Sequence, residues 1–311
     1  MTATVTAPTG ASPARRDHQR PALRHRLAER GIDRTLVLLV PGVLFIVLLF
    51  VYPFLYGLQL SFQPQSGGGF LANYKAFFAD PYQRNTIWLT LRLGLPAAVL
   101  NVVVSVPIAY AMRGAFRGKR TLTTLLVLPI TLGTVLTADG LLNYLGPNGW
   151  FNRVLTGLHI VDQPVTLIHN YTGVFLSLII TGFPFAFLLT SSYLSGIDPS
   201  LDRAAATLGA PALQRFSKIT LPLLMPGLAV TFCLSFVLAF SVFPSAQLVG
   251  NPSGSTHVIS IAAYHAAFDQ FDYSMGSAVA MIMAVVMLVI IGLVLAGRSR
   301  LYVGSTSGGK G

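Results

Sequence analysis

The chain has 311 residues, of which 53% are hydrophobic and only 10% are charged. Soluble domains carry about 25% charged residues, so this composition excludes a water-soluble globule and indicates a multi-span membrane protein. Lys and Arg outnumber Asp and Glu by 21 to 10, and the single cysteine, Cys233, excludes an intrachain disulfide and a cysteine-based metal cluster.

The first segment, residues 1–34, is polar and basic. It lacks the apolar stretch of about 7–15 residues that a secretory signal carries directly after its positive start. We therefore expect a retained cytoplasmic tail. Two interpretations of it are open: a solvated basic tail, or one turn of helix lying on anionic lipid headgroups.

Six long apolar segments follow, each long enough to cross a hydrocarbon core of about 30 Å as a helix of about 20 residues. Continuous apolar runs such as MIMAVVMLVII differ from the alternating pattern of β-barrel strands. Prolines inside the segments favour a transporter or channel over a simple anchor. The sequence therefore predicts an all-α integral membrane protein with six transmembrane helices, at about 35–62, 86–112, 121–145, 171–195, 222–248 and 275–297.

The basic residues predict the orientation of these helices. With the N-terminus inside, seventeen Lys and Arg residues fall in cytoplasmic segments, three fall in outer loops, and Arg92 lies within the second span. The positive-inside rule then places both termini in the cytoplasm, with residues 298–311 as a C-terminal tail and 35–297 as the membrane domain. Because these basic residues are spread over four cytoplasmic segments, membrane orientation accounts for the basic excess. Nucleic-acid binding is not needed to explain it.

One predicted cytoplasmic loop, about residues 196–221, is longer than a turn requires and has its own helical pattern. Ser200 is the predicted N-cap of a helix whose body is LDRAAATL. Gly209 is predicted to end that helix as a left-handed C′ residue. A second short helix is expected over 210–216, and Pro222 is expected to begin the fifth span.

This loop resembles the cytoplasmic signature of type I ABC importer permeases, which is Glu-Ala-Ala, three residues, Gly, nine residues, and Ile-x-Leu-Pro. Arg203 stands where the family usually has Glu, with Asp202 beside it. The resemblance covers about residues 86–297, and FVLAFSVFPSAQLVG at 236–250 resembles the polyamine and ferric-ion branch more than the sugar branch. The positions that match at the required spacing are Ala204, Ala205, Gly209, Ile219, Leu221 and Pro222.

The resemblance implies the type I permease fold and a transmembrane permease subunit in the cell membrane. It also implies a second permease subunit that is similar but distinct, two ATPase subunits that bind ATP and Mg, and an extracytoplasmic solute-binding protein. The sequence contains no G-x-x-x-x-G-K-[ST] phosphate loop, so we expect no catalytic, cofactor-binding or metal-binding residue in this chain. The residues expected to couple it to the ATPases are Leu201, Asp202, Arg203, Ala204, Ala205, Leu208, Gly209, Arg215 and Phe216.

Several polar residues within the spans are candidates for the solute pathway, because ionisable groups in a membrane are costly and commonly functional. Arg92 faces either the pathway or, by snorkelling, the headgroups. Asp139, near Asn143 and Tyr144, would suit a cationic solute such as a polyamine, or else lies at the interface, paired with Arg92. Asn101 is a further candidate, and Ser105 lies one turn away. For both residues, hydrogen bonding between helices is the simpler role.

Two patterns in the last third of the chain have simpler interpretations. Gly276, Ala280 and Ala284 repeat every four residues and predict close helix packing, within the chain or between subunits. His257 and His265 lie eight residues apart without other nearby ligands, so they provide little support for a metal site.

Asp269 and Asp272 share an outer loop, where they either contact the solute-binding protein or form a solvated acidic turn.

Three alternative functions are open. A sugar-type ABC permease differs only in its solute. An ion-coupled secondary transporter would be expected to show inverted repeats or buried coupling carboxylates, and a membrane-embedded enzyme would need a nucleophile motif that the sequence does not show.

Overall fold

The computed structural model describes residues 34–65, 67–114 and 118–301, and the described part is helical, without strands. Predictions for residues 1–33 and for the C-terminal end beyond residue 301 lie outside it. The chain divides into two compact units between Tyr56 and Gly57. Six helical stretches are long and apolar enough to cross a membrane, as predicted: Leu39–Ser61, Pro81–Ala111, Lys119–Gly157, Tyr171–Ser195, Ala212–Leu248 and Tyr273–Gly297.

The helices follow one another with short connections. We number them α1 (Arg34–Ile46), α2 (Tyr52–Ser61), α3 (Ala72–Ala79), α4 (Pro81–Ala111), α5 (Lys119–Leu145), α6 (Trp150–Gly157), α7 (Tyr171–Ser195), α8 (Pro199–Thr207), α9 (Ala212–Arg215), α10 (Leu221–Phe240), α11 (Pro244–Leu248), α12 (Ile259–Tyr264) and α13 (Tyr273–Leu301). Single π-helical turns lie at Val47–Val51, Phe216–Thr220 and His265–Asp269.

The third span, α5, is kinked at Gly133. There the backbone adopts φ +75° and ψ +168°, a combination that essentially only glycine tolerates. The Thr137 hydroxyl one turn later donates to the Gly133 carbonyl at 2.7 Å. Local hydrogen bonding thus satisfies a carbonyl that the kink removes from the regular helix.

The helix of the fifth span is interrupted within its predicted range of 222–248. α10 stops at Phe240, and the chain is not helical from Ser241 to Phe243 before α11 begins at Pro244. The Ser177 hydroxyl on α7 donates to the Ser245 hydroxyl at 2.6 Å. Inside the break, the Val242 carbonyl accepts from the Ser260 hydroxyl, as irregular backbone at membrane depth needs polar partners within the protein.

The core of the second unit lies where α4 packs against α7 and α10. Close approach is possible because small residues lie at the crossings. A Cβ at Gly94 would lie 3.3 Å from the Phe240 nitrogen, and one at Gly182 would lie 2.4 Å from Asn101 Nδ2. The packing of α4 on both neighbours makes it the central span of this unit.

The loops predicted to lie outside are ordered by buried polar side chains. Asn152 is the centre of the loop after α5: its Nδ2 donates to the Gly146 and Val165 carbonyls at 2.9 and 3.1 Å, and its Oδ1 accepts from the Val165 N–H at 2.8 Å. Gly149 in the same loop has no room for a side chain, since a Cβ would lie 2.3 Å from the Tyr144 carbonyl.

Candidate functional site

The coupling segment, which we define as residues 196–221, contains the predicted helix α8. Its N-cap is Asp198 and not the predicted Ser200: the Asp198 carboxylate accepts from the Ser200 N–H at 2.8 Å. Pro199 occupies the first helical position, where its missing N–H costs nothing. Hydrogen bonds from the side chain and the backbone N–H of Ser200 lower the pKa of the Asp198 carboxyl group, and the nearby Arg203 and Arg113 lower it further.

α8 ends as predicted at Gly209, whose φ of +82° is left-handed. The Gly209 N–H donates to the Ala206 carbonyl at 3.0 Å, and the Ala210 N–H donates to the Ala205 carbonyl at 3.1 Å. These two bonds form a Schellman motif, which satisfies the last carbonyls of the helix.

The second half of the coupling segment differs from the prediction. The short helix α9 covers Ala212–Arg215 and does not end before the fifth span, because the π-helical turn Phe216–Thr220 joins it to α10. A single helical run thus extends from the cytoplasmic loop into the membrane, and Pro222 lies inside this run, at the second position of α10.

Apolar side chains of the coupling segment are exposed. Leu208 is 88% exposed, and Leu201 is 46% exposed. Ala204 is also exposed, whereas Ala205 and Phe216 are half-buried. Sequence reasoning missed Leu213, which is 78% exposed just after the left-handed turn. An apolar surface of this kind on a polar loop is typical of a docking site for another protein.

Two charged residues that are expected to couple the chain to the ATPases contact each other. Arg215 Nε lies 3.2 Å from Asp202 Oδ1, and both side chains are mostly buried. Arg203, at the family's usual Glu position, is exposed and has no ion pair within 4 Å in the part of the chain that the structure describes. The acidic charge that the signature normally carries at position 203 is thus present one residue earlier.

The candidate pathway residues of α5 share an exposed face. Asp139, Asn143 and Tyr144 are all exposed, and Asn143 Nδ2 donates to the Asp139 backbone carbonyl at 3.0 Å. No ion pair within 4 Å joins Asp139 to Arg92. Arg92 is exposed on α4, and its carbonyl accepts from the Tyr171 hydroxyl at 2.7 Å.

Asn101 lies apart from these residues. It is buried on α4, where its Nδ2 donates to the Leu178 carbonyl of α7 at 3.2 Å. Ser105, one turn away, shares a hydrogen bond of 2.8 Å with Thr190 of α7. Both side chains therefore make the interhelical hydrogen bonds that sequence reasoning gave as the simpler role.

The histidines of the outer region come together as a ring stack. His257 lies between Tyr82 and His265, at centroid distances of 4.8 and 5.7 Å, and His265 Nδ1 pairs with Asp269. Among the described residues no group of three or more potential ligands could hold a metal ion. Asp272 accepts from the Met275 N–H at 2.8 Å and so caps the start of α13.

The small residues Gly276, Ala280 and Ala284 lie on α13, and the first of them packs against another part of the chain. A Cβ at Gly276 would lie 2.8 Å from the Ala267 side chain, so the loop after α12 packs directly on the helix. Ala280 is exposed and Ala284 is half-buried. Close packing at Gly276 is therefore intrachain, and the subunit-interface interpretation applies only to the two alanines.

Known proteins with similar sequences are membrane transport subunits. The chain is 29% identical to the spermidine/putrescine transport system permease protein PotB of Haemophilus influenzae over 70% of its length and 77% of the relative. It is 28% identical to the probable sulfate transport system permease protein cysT of Prototheca wickerhamii, over 69% and 83%. It is 27% identical to the trehalose/maltose transport system permease protein MalF of Thermococcus litoralis, over 86% and 92%.

Solved structures show the same fold. A bacterial ABC transporter involved in the import of alginate matches 90% of this chain and 99% of its own with a TM-score of 0.74 at 21% identity. The MetNI methionine ABC transporter matches 70% and 93% with a TM-score of 0.52 at 17% identity.

The family model described as "Binding-protein-dependent transport system inner membrane component" matches residues 35–301. That match covers all six spans and the coupling segment. The named substrates of the relatives include a polyamine, sulfate and sugars, so the likeness does not select the polyamine branch. The chain belongs to the family of binding-protein-dependent transport system inner membrane components, the permease subunits of ABC importers.

Proposed function

We propose that this permease imports a small cationic solute, such as a polyamine, in a complex with three kinds of partner. These are a second permease subunit, two ATPase subunits that bind ATP and Mg, and an extracytoplasmic solute-binding protein. Both termini and the coupling segment face the cytoplasm in this proposal. The chain itself contributes half of the pathway and the surface that receives displacement from the ATPases.

The coupling segment is the observation that carries this proposal. α8 is capped at both ends, at Asp198 and at Gly209, and is therefore a rigid helix. Leu208 and Leu213 expose apolar surface that the described part of the chain does not cover. A capped helix with such a surface suits a groove on a partner, as in other helix-in-groove complexes.

Transport then requires two arrangements of the permease whose relative stability changes when the ATPases bind or hydrolyse ATP. A ligand shifts such an equilibrium only by its differential affinity for the two states. α8 supplies that difference if its docking surface fits the closed and the open ATPases unequally. The solute enters from the binding protein in one state and leaves to the cytoplasm in the other.

The proposal of a cationic solute rests on Asp139. Its side chain is exposed on a membrane-spanning helix, where a carboxylate in contact with lipid is costly. The exposed Asn143 follows one turn later on the same face and adds an amide that binds donors or acceptors. A pathway between two permease subunits gives Asp139 a polar environment, and its negative charge favours cations. The spermidine/putrescine permease among the relatives is consistent with such a solute.

Purification of the assembled complex tests the role as a permease. We expect the chain, expressed with its neighbouring transport genes, to co-purify with an ATPase, and proteoliposomes containing the complex to take up solute only with ATP. A complex without an ATPase, together with uptake that survives an inactive ATPase, would identify a secondary transporter instead.

Replacement of Asp139 tests the solute class. We expect Asp139→Asn to lower ATP-driven uptake of spermidine about tenfold, equivalent to about 1.4 kcal/mol, because the attraction for the cation is lost. Asp162→Asn, at an exposed acid of the loop between α6 and α7, is the matched control and should leave uptake unchanged. Equal uptake in the two variants, or a complex that takes up only neutral or anionic solutes, would show that Asp139 does not select cations.

A further inference from the structure

We infer that Arg113 and the Asp202–Arg215 pair are positioning residues, which join the coupling segment to the cytoplasmic end of α4 as one mechanical unit. The inference rests on the proposed function, since it says how displacement received at α8 reaches the membrane. It assigns these residues a role within the chain and leaves the docking surface to Leu201, Leu208 and Leu213.

The first connection is made by Arg113, which follows the end of α4. Its Nη2 donates to the Ile197 carbonyl at 2.6 Å. Ile197 immediately precedes Asp198, the N-cap of α8. The guanidinium of Arg113 therefore holds the backbone just before α8 begins. The side chain is half-buried, and a hydrogen bond from a charged donor in such a position is stronger than a neutral one.

The second connection links the same end of α4 to the far side of the coupling segment. The rings of Tyr110 and Phe216 meet edge to face, with centroids 4.8 Å apart. Both residues pack against the buried cluster of Met112, Leu194 and Leu224. α4 therefore contacts the segment on both sides of α8, once before the helix and once after it.

The ion pair closes the loop between these two contacts. Asp202 lies in the first turn of α8, and Arg215 ends α9 just before Phe216. Asp202 Oδ1 and Arg215 Nε are both buried, and neither has a hydrogen-bond partner in the described part of the chain. The two atoms lie 3.2 Å apart, so each compensates the charge of the other. Removal of one partner would leave the facing atom of the other buried without a partner, which is unfavourable.

The three contacts form a closed ring, from Arg113 to Ile197, from Asp202 to Arg215, and from Phe216 back to Tyr110. α8 cannot shift as a rigid helix without moving α4 or breaking one of them. Since α4 packs against both α7 and α10, a shift of its cytoplasmic end reaches the central spans. The leucines of the docking surface stay outside the ring.

Charge reversal tests the ion pair in the complete complex in proteoliposomes. The readout is the ratio of solute taken up to ATP hydrolysed, together with co-purification of the ATPases. We expect Asp202→Arg and Arg215→Asp each to lower that ratio about tenfold, within the usual range of coupling between sites, while the ATPases still co-purify. The double reversal should restore the ratio to within about twofold of wild type, because it re-forms the pair.

Arg113 is tested by variants that separate its hydrogen bond from its size. Arg113→Met keeps the unbranched stem and loses the donor, and we expect it to lower the same ratio. Arg113→Lys keeps a cationic donor and should retain more of it. Lys218→Gln, at an exposed cation of the same segment without an ion pair within 4 Å among the described residues, is the control and should behave as wild type.

Several outcomes would overturn the inference. These are full coupling in either single reversal, a double reversal no better than the single ones, and equal ratios for Arg113→Met and Arg113→Lys. Failure of the single reversals to assemble with the ATPases, without rescue by the double reversal, would place the pair in the docking surface instead. If the wild-type complex itself shows no ATP-driven uptake, the proposed function fails. That result differs from an active wild-type importer whose variants keep the full ratio of uptake to ATP hydrolysis, which overturns only the inference.

Discussion

At the scale of single residues, we expect His257 to make the stability of the outer region depend on pH. Its ring is 7% exposed and lies between Tyr82 and His265. Burial lowers the pKa of His257, the Pro252 carbonyl at 2.7 Å opposes that shift, and the nearby His265 adds to it. Because the folded-state pKa lies below the unfolded value of about 6.5, the unfolded chain binds more protons, and stability falls as pH decreases through the folded-state pKa.

We therefore expect the thermal unfolding temperature of the purified chain to fall between pH 7.5 and pH 5, in part through His257. His257→Gln keeps an amide donor toward Pro252 and should reduce the pH dependence. His159→Gln, at an exposed histidine, is the control, and Asp269, bound to His265, is the acidic group beside the stack. An unchanged pH dependence in His257→Gln would show that His257 is not the source of the effect.

The residues that sequence reasoning found are those with local causes. Gly209 was predictable because a left-handed helix end favours glycine whatever the helix contacts. Asp198 was missed as the N-cap because Asp and Ser are equally good caps and lie two residues apart. The pair Asp202–Arg215 was not predictable, since it depends on how the chain turns between two helices.

At the scale of elements, the kink in α5 is expected to depend on glycine at position 133. Gly133→Ala places a side chain on a backbone with φ +75° and ψ +168°, which we expect to destabilise the protein by about 1–3 kcal/mol. Gly140→Ala in the same helix is a matched control: a Cβ would meet nothing within 4 Å at either glycine, but only Gly133 has positive φ. Thermal unfolding in detergent measures the difference. Equal stability of the two variants would show that α5 does not need this backbone conformation.

The six spans were predictable because length and apolarity alone decide whether a helix can cross a membrane. The breaks within them were not. Proline occurs inside several spans, and Pro226 lies within the continuous helix α10, whereas Pro244 follows a break at Ser241–Phe243. The difference lies in tertiary contacts, such as the hydrogen bond from the Ser260 hydroxyl to the Val242 carbonyl, which satisfies a backbone group inside the break.

At the scale of the whole molecule, the fold specifies the mechanism more closely than the solute. Relatives of similar identity are named for polyamine, sulfate and sugar transport, and a related fold belongs to a transporter of alginate. Residues 35–301 place this chain in the family of binding-protein-dependent transport system inner membrane components, and that family assignment does not name a solute. In the proposed function, solute choice therefore rests on a few exposed side chains, such as Asp139, and on the solute-binding protein.

The orientation of the whole molecule is the last prediction. Seventeen of its basic residues lie on the side predicted to be cytoplasmic, against three on the other, an asymmetry that favours cytoplasmic termini. In a Cys233→Ser background we expect a membrane-impermeant thiol reagent to label Ser253→Cys in intact cells. Thr207→Cys, on the equally exposed coupling helix, should react only after the membrane is opened. If Thr207→Cys were labelled in intact cells, α8 would lie outside, where no ATP-driven partner could reach it, and the orientation and the proposed coupling would both be wrong.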